Sequence, residues 1–201
     1  MGSGKNGTFD IHPDLQQWAI MIFWKADKPI EESAIINGIQ ELLGNFIMSW
    51  LGFFKAELKA FQLQPYAGHG SWDGETFIDQ RQKKEDPDTS IAVLTRATIR
   101  FIRLKNFWNA VPSTAMDLSK TKGLIYSIGI GEVPFIKQAT FSIWERAEDM
   151  KNFAYKKAEH RQVIQETRKE SWYAEELFLR FHVIGKYTIG KMSRKDINAR
   201  S

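Results

Sequence analysis

The sequence predicts an α+β fold: a ferredoxin-like βαββαβ unit plus a truncated second copy, assembled in the manner of a dimeric α/β barrel. Three observations predict it. The stretches IAVLTRATIRF and ELFLRFHVIGKY alternate in polarity and are rich in β-branched and aromatic residues, the mark of strands. Between them the elements follow the order β-α-β-β-α-β, the split motif of ferredoxin-like units. The chain also repeats itself: Trp24 in WAIMIFWKADKP and Trp144 in ATFSIWERAEDM stand 120 residues apart, as do Phe61 and Phe181. Each Trp leads into a helical stretch holding a second Trp, Trp50 or Trp172, and then into a strand. A repeat of this length has to be read before individual elements, because it sets the architecture.

The elements follow in order. GSGKNG near the start fails the spacing of a phosphate-binding loop and has no strand before it, so it reads as a turn. Leu15 to Trp24 is expected as a strand. Ile30 to about Leu58 is expected as a helix, with Gly38, Gly44 and Gly52 as weak points. Its most apolar run, FIMSWLGFF from Phe46 to Phe54, reads as a buried helix segment. A strand from Phe61 to Gly68 and the turn HGSWDGETF come next. RQKKEDPDTS, Arg81 to Ser90, has no apolar residues and contains Pro87, which makes it the linker. Then come the strand at Ile91, a helix RLKNFWNAV ending at Pro112, a strand entered through Gly123, and QATFSIWE, antiparallel to it across GEVPFIK. Ala147 to Trp172 is expected as a helix, Glu148 and Asp149 suiting its positive end. ELFLRFHVIGKY closes the sheet. The domain reading is therefore a truncated half-unit at 1–80, a linker at 81–90, a complete unit at 91–190 and a basic tail at 191–201.

Composition narrows the function. Seven Trp and fourteen Phe imply a large aromatic core or a pocket for a flat, apolar ligand. No cysteine is present, which removes disulfides, thiolate metal sites and Cys nucleophiles. A cytoplasmic setting suits that, with peripheral membrane contact left open. No run approaches the ~18 apolar residues of a membrane span. The net charge of +4 is spread among interleaved acids and bases, unlike the dense basic face that nucleic acid requires.

Few residues offer chemistry. His160 falls on the apolar stripe of its helix with Phe153 and Ile164, as a packed core residue or as a ligand to a metal or cofactor. Arg96 and Arg100 alternate along one strand, Arg180 and His182 along another, and the two strands are neighbours in the predicted unit. All four are expected on one sheet face. Covered by a second unit, they would need an anionic partner, such as a heme propionate or an acidic substrate. No serine-hydrolase motif and no HExxH occurs, and none of the four His forms a local metal pair.

AVLTRATIR, the FW..VP of Phe107 to Pro112, GLIYSIGIGEVP, QATFSIW, the FAY…H of Phe153 to His160 and ESWYAEELFLRF together resemble the spheroidene monooxygenase family of acyclic carotenoid ketolases. GSGKNGTF, the stretch to Trp24 and HGSWDG match more loosely. The resemblance implies a heme-dependent oxygenase acting on a carotenoid-like polyene, with a fold akin to chlorite-dismutase-like and antibiotic-monooxygenase-like proteins. It implies His160 as the iron ligand. Arg180 or Arg96 would polarise dioxygen or pair with a propionate, alongside Arg100. Trp144, Tyr155 and Trp172 would line the apolar channel. Two alternatives stay open: a cofactor-free enzyme that uses its substrate to activate oxygen, and a small-molecule-binding module. Family members begin with a strand–helix–strand that has no counterpart before Gly2. The expectation is thus a shortened first unit, an open sheet edge that favours homo-oligomers, and a missing pocket wall that counts against activity of the shortened form.

Overall fold

The computed structural model describes residues 1–4, 9–23, 30–77, 86, 89–119, 121–156, 167 and 170–189, with backbone alone at 32, 112–119, 155–156 and 189. Its strands are β1 (Gly2–Ser3), β2 (Pro13–Asp14), β3 (Leu58–Gly70), β4 (Ile91–Ile99), β5 (Leu124–Val133), β6 (Lys137–Trp144) and β7 (Tyr173–Ile189). Its helices are α1 (Glu32–Phe53), α2 (Leu104–Ser119) and α3 (Ala147–Lys156). One seven-stranded sheet has the order β2-β1-β5-β6-β4-β7-β3. Within it β4-α2-β5-β6-α3-β7 forms the predicted βαββαβ unit, its strands ordered β5-β6-β4-β7. β4 pairs antiparallel with both β6 and β7, and β5 pairs antiparallel with β6. The fold is α+β and ferredoxin-like. β4 is buried along nearly its whole length, as its run of apolar residues requires of a central strand.

The chain divides into two compact units. The first, Met1–Met21 with Gln64–His182, holds most of the sheet. Its α2 and α3 cover the same sheet face. α3 packs Ala147, Met150 and Phe153 with Ile91, Val93, Trp144 and Tyr66. α2 packs Phe107, Trp108 and Val111 with Ile99 and Trp172. α2 runs on through Pro112, where the sequence suggested an end. The missing proline N–H removes one backbone hydrogen bond, and the helix continues past it.

The second unit, Ile22–Leu63 with the segment from Val183, contains α1. Gly44 has φ 69 and ψ 163, which no helix accommodates, so α1 is kinked there. The Phe46–Phe54 run is not buried as expected: Phe46 is 82% exposed, and Leu42, Ile47, Trp50, Phe53 and Phe54 are also exposed, while Met48 is buried. In the same unit the Tyr187 hydroxyl donates to Gln62 Oε1 at 3.3 Å. The strand expected from Leu15 to Trp24 is absent over Leu15 to Phe23, which has turn and irregular backbone; Trp24 lies outside the described residues. Of the helix expected from Ala147 to Trp172, Ala147–Lys156 and Thr167 are helical among the described residues, whereas Glu170 and Ser171 form a turn and Trp172 has irregular backbone, so the helix does not reach Trp172.

Candidate functional site

Register, more than strand order, decides which charges share a face. Leu94 pairs with Leu179 and Arg96 with Leu177, whereas Val93 pairs with Arg180 and Ile91 with His182. Paired residues in an antiparallel ladder point to the same side. Arg180 and His182 therefore lie on the face that α2 and α3 cover, and Arg96 lies on the other. The single shared basic face read from the sequence does not form. Arg100 does not join either set: it follows the end of β4, is exposed, and donates from Nε to the Tyr173 carbonyl at 3.1 Å.

On the face opposite α2 and α3, Arg96 is 1% exposed and surrounded by carboxylates of its own chain. Its Nε donates to Glu132 Oε2 at 2.8 Å, Nη1 to Glu175 Oε2 at 2.9 Å and Nη2 to Asp73 Oδ1 at 3.1 Å. The Trp72 ring lies 4.8 Å from the guanidinium carbon. The anionic partner expected from a cofactor or substrate is thus internal. Burial alone would lower the Arg96 pKa, but hydrogen bonds to Glu132 and Glu175 outweigh it and raise it. Asp73 also accepts from Lys137 Nζ at 2.6 Å. That hydrogen bond, with Arg96, holds its carboxyl below the ordinary value.

The local sequence makes this cluster possible. Asp73 and Gly74, with φ of 50 and 84, are the central residues of a two-residue hairpin whose ends Trp72 and Glu75 exchange backbone hydrogen bonds at 2.9 and 3.0 Å. Asp-Gly is the favoured pair for a turn with two positive φ angles. The tip turns its donors to one carboxylate: Glu175 accepts from Gly74 N–H at 2.9 Å, Ser71 Oγ at 2.7 Å and Asp73 N–H at 3.0 Å. These hold the Glu175 pKa down at about 2, the Gly74 bond foremost. Glu175 and Asp73, absent from the sequence reading, were detectable only as the acidic residues of an Asp-Gly turn and of a strand end.

On the helix-covered face the aromatic residues gather. Tyr66 stacks on His182 with ring centroids 4.3 Å apart and planes at 25°. The Arg180 guanidinium carbon lies 5.3 Å from the centre of the same Tyr66 ring. His69 stacks on Phe178 at 5.5 Å. Trp144 and Trp172 are both buried on this side, but in separate clusters. The Trp144 indole N–H donates to Ser142 Oγ at 2.9 Å, and the Trp172 indole N–H to Glu170 Oε2 at 2.9 Å. Beside Trp172, burial pushes the Tyr173 hydroxyl up to about 12. His160 lies outside the described residues, and Tyr155 contributes only backbone to α3. Among the described residues no three His, Asp or Glu side chains are placed to hold a metal ion. No described helix is long and apolar enough to cross a membrane.

No protein-family model matches the chain. Against proteins of known activity it is 35% identical to the spheroidene monooxygenase of Cereibacter sphaeroides over 196 residues, 97% of this chain and 57% of that protein. It is 31% identical to the spheroidene monooxygenase of Rhodobacter capsulatus, again over 97% of this chain, and spans 77% of that protein. Among solved structures, a cofactor-independent oxygenase of Streptomyces nogalater is similar with a TM-score of 0.40 and 10% identity, over 48% of this chain and 95% of that one. So weak a structural likeness carries no argument about chemistry.

Proposed function

The chain belongs to the spheroidene monooxygenase family, and from that premise we propose that it oxygenates an acyclic carotenoid or related polyene with the help of a bound heme. The observation that carries the proposal is the identity of about one residue in three with spheroidene monooxygenases over 97% of this chain. The chain spans 57% of the length of the Cereibacter protein, so the activity of the whole relative is assigned here only as a proposal.

A heme requires a flat apolar surface, an iron ligand and cations for its two carboxylates. On the side that α2 and α3 cover, Tyr66, Trp144 and Phe153 are aromatic but buried and packed together, with Phe178 partly buried beside them, and Arg180 is a half-buried cation. In kind these residues suit the group. His160 is the proposed iron ligand, histidine being the protein ligand that holds heme iron in globins and peroxidases. When bound, the heme supplies the redox centre at which dioxygen is activated. The chain's own residues would do the rest: the α3 cluster would keep water from an apolar substrate, and Arg180 would offer guanidinium donors to a carboxylate. Arg96, neutralised by three carboxylates, is better suited to holding the Asp73–Gly74 tip than to contacting a ligand.

The test is a titration of purified protein with hemin. A Soret band is expected for the native chain and its loss for His160→Ala, with circular dichroism unchanged. Native protein that takes up no heme, or a variant with an unaltered spectrum, would overturn the assignment.

A further inference from the structure

We propose that His182, with Arg180, forms a carboxylate-binding pair on the helix-covered side of β7. His182 is 8% exposed, and its Nδ1 has no hydrogen-bonding partner among the described residues. A buried polar atom left unpaired costs stability, so its retention calls for a group that completes it. The ring is not loosely held: Tyr66 stacks on it at 4.3 Å and 25°. The same Tyr66 ring carries the Arg180 guanidinium at 5.3 Å, so one aromatic side chain sets the positions of both basic groups. Arg180 and His182 are two residues apart on one strand and face the same way, opposite Val93 and Ile91.

A carboxylate suits this pair because it offers two oxygens and only accepts. Nδ1–H of His182 donates to one oxygen. Arg180 has five N–H donors in a fixed fork, so it can take up a carboxylate oxygen alongside the contacts it already makes. Ile91, Val93 and Trp144 keep the surroundings apolar, which strengthens a charged hydrogen bond. Two sources bring this chemistry: a propionate of heme, which rests on the reading above, and a free aliphatic carboxylic acid, which does not.

The experiment uses His182→Phe, which keeps a flat ring for Tyr66 and removes the nitrogens, with Arg180→Gln as a second variant. Native protein and variants are titrated with hemin, with hemin dimethyl ester and with hexanoate, and melted without ligand. The inference expects the ligand-free His182→Phe protein to melt a few degrees higher than native. It expects each variant to lose about tenfold or more in affinity for whichever carboxylate binds, and none for the diester. Loss confined to hemin identifies the propionate. Loss confined to hexanoate, with no Soret band for native protein, retains the pair and removes the heme reading. Hemin and its diester binding alike with no response to hexanoate, or affinities unchanged in both variants, would overturn the pair. A His182→Phe protein that melts lower with unchanged affinities would make His182 a packing residue only.

Discussion

Arg96 and Arg180 stand on neighbouring strands of one sheet and serve opposite ends. Arg96 meets three carboxylates of its own chain and is almost wholly buried on the face opposite α2 and α3. Arg180 is half-buried on the helix-covered face against the ring of Tyr66. Their strands pair directly, yet the register places Arg96 opposite Leu177 and Arg180 opposite Val93. A slip of one residue would put both on the same face. The difference teaches that an arginine's role is set by what its register partner's side of the sheet contains. On one side it is a structural tie; on the other it is a group with donors to offer.

The largest way to break that comparison is to remove each cation in turn. Arg96→Met leaves Asp73, Glu132 and Glu175 clustered without their shared donor, and should cost about 1–3 kcal/mol of stability, the range for stranding hydrogen-bonded partners, since these carboxylates are partly exposed. Arg180→Met removes a contact with an aromatic ring worth on the order of 0.5–2 kcal/mol. Urea unfolding of the two variants reads both. Equal losses would show that Arg180 is as much a structural tie as Arg96.

A smaller effect sharpens the same contrast through pH. Glu175 has its pKa lowered from an ordinary 4.5 to about 2, so its contribution to stability is present above 4.5 and is lost as the pH falls toward 2. Asp73 shifts the same way. The urea midpoint of the native protein should therefore drop across that acid window. In Glu175→Gln it should start lower and fall less steeply. A variant with the native slope would mean that the Asp73–Gly74 tip is not held by this carboxylate.

The βαββαβ unit was legible because each of its strands alternates or runs apolar over many residues, and because turns with Gly123 and the GEVPFIK hairpin mark the boundaries. The two faces of β4 and of β7 were legible one strand at a time. Their registration was not, since alternation leaves the pairing partner open by one residue, and that residue separated Arg96 from Arg180. A β-bulge where β4 passes from Thr98 to Ile99 shows how easily it changes. The carboxylate cluster around Arg96 was hidden for a different reason: Asp73, Glu132 and Glu175 come from three distant segments, and only folding brings them together. The exposed apolar run of α1 misled because Phe46, Trp50 and Phe53 have core composition, while a periodic stripe says nothing about what, if anything, it packs against.

The Asp73–Gly74 tip has a bearing on chemical ageing. An aspartate followed by glycine is prone to cyclise: the glycine amide nitrogen attacks the side-chain carbonyl carbon and expels water, and hydrolysis reopens the ring with an extra methylene in the main chain. Here the attacking nitrogen donates its hydrogen to Glu175 at 2.9 Å, and the Asp73 carboxylate is bound by Lys137 and Arg96. The fold that uses this dipeptide to turn the chain also restrains both partners of its decay. Stored native protein should therefore accumulate less isoaspartate at residue 73 than Glu175→Gln protein, as peptide mapping would measure. Equal accumulation would mean that the turn's shape alone sets its lifetime.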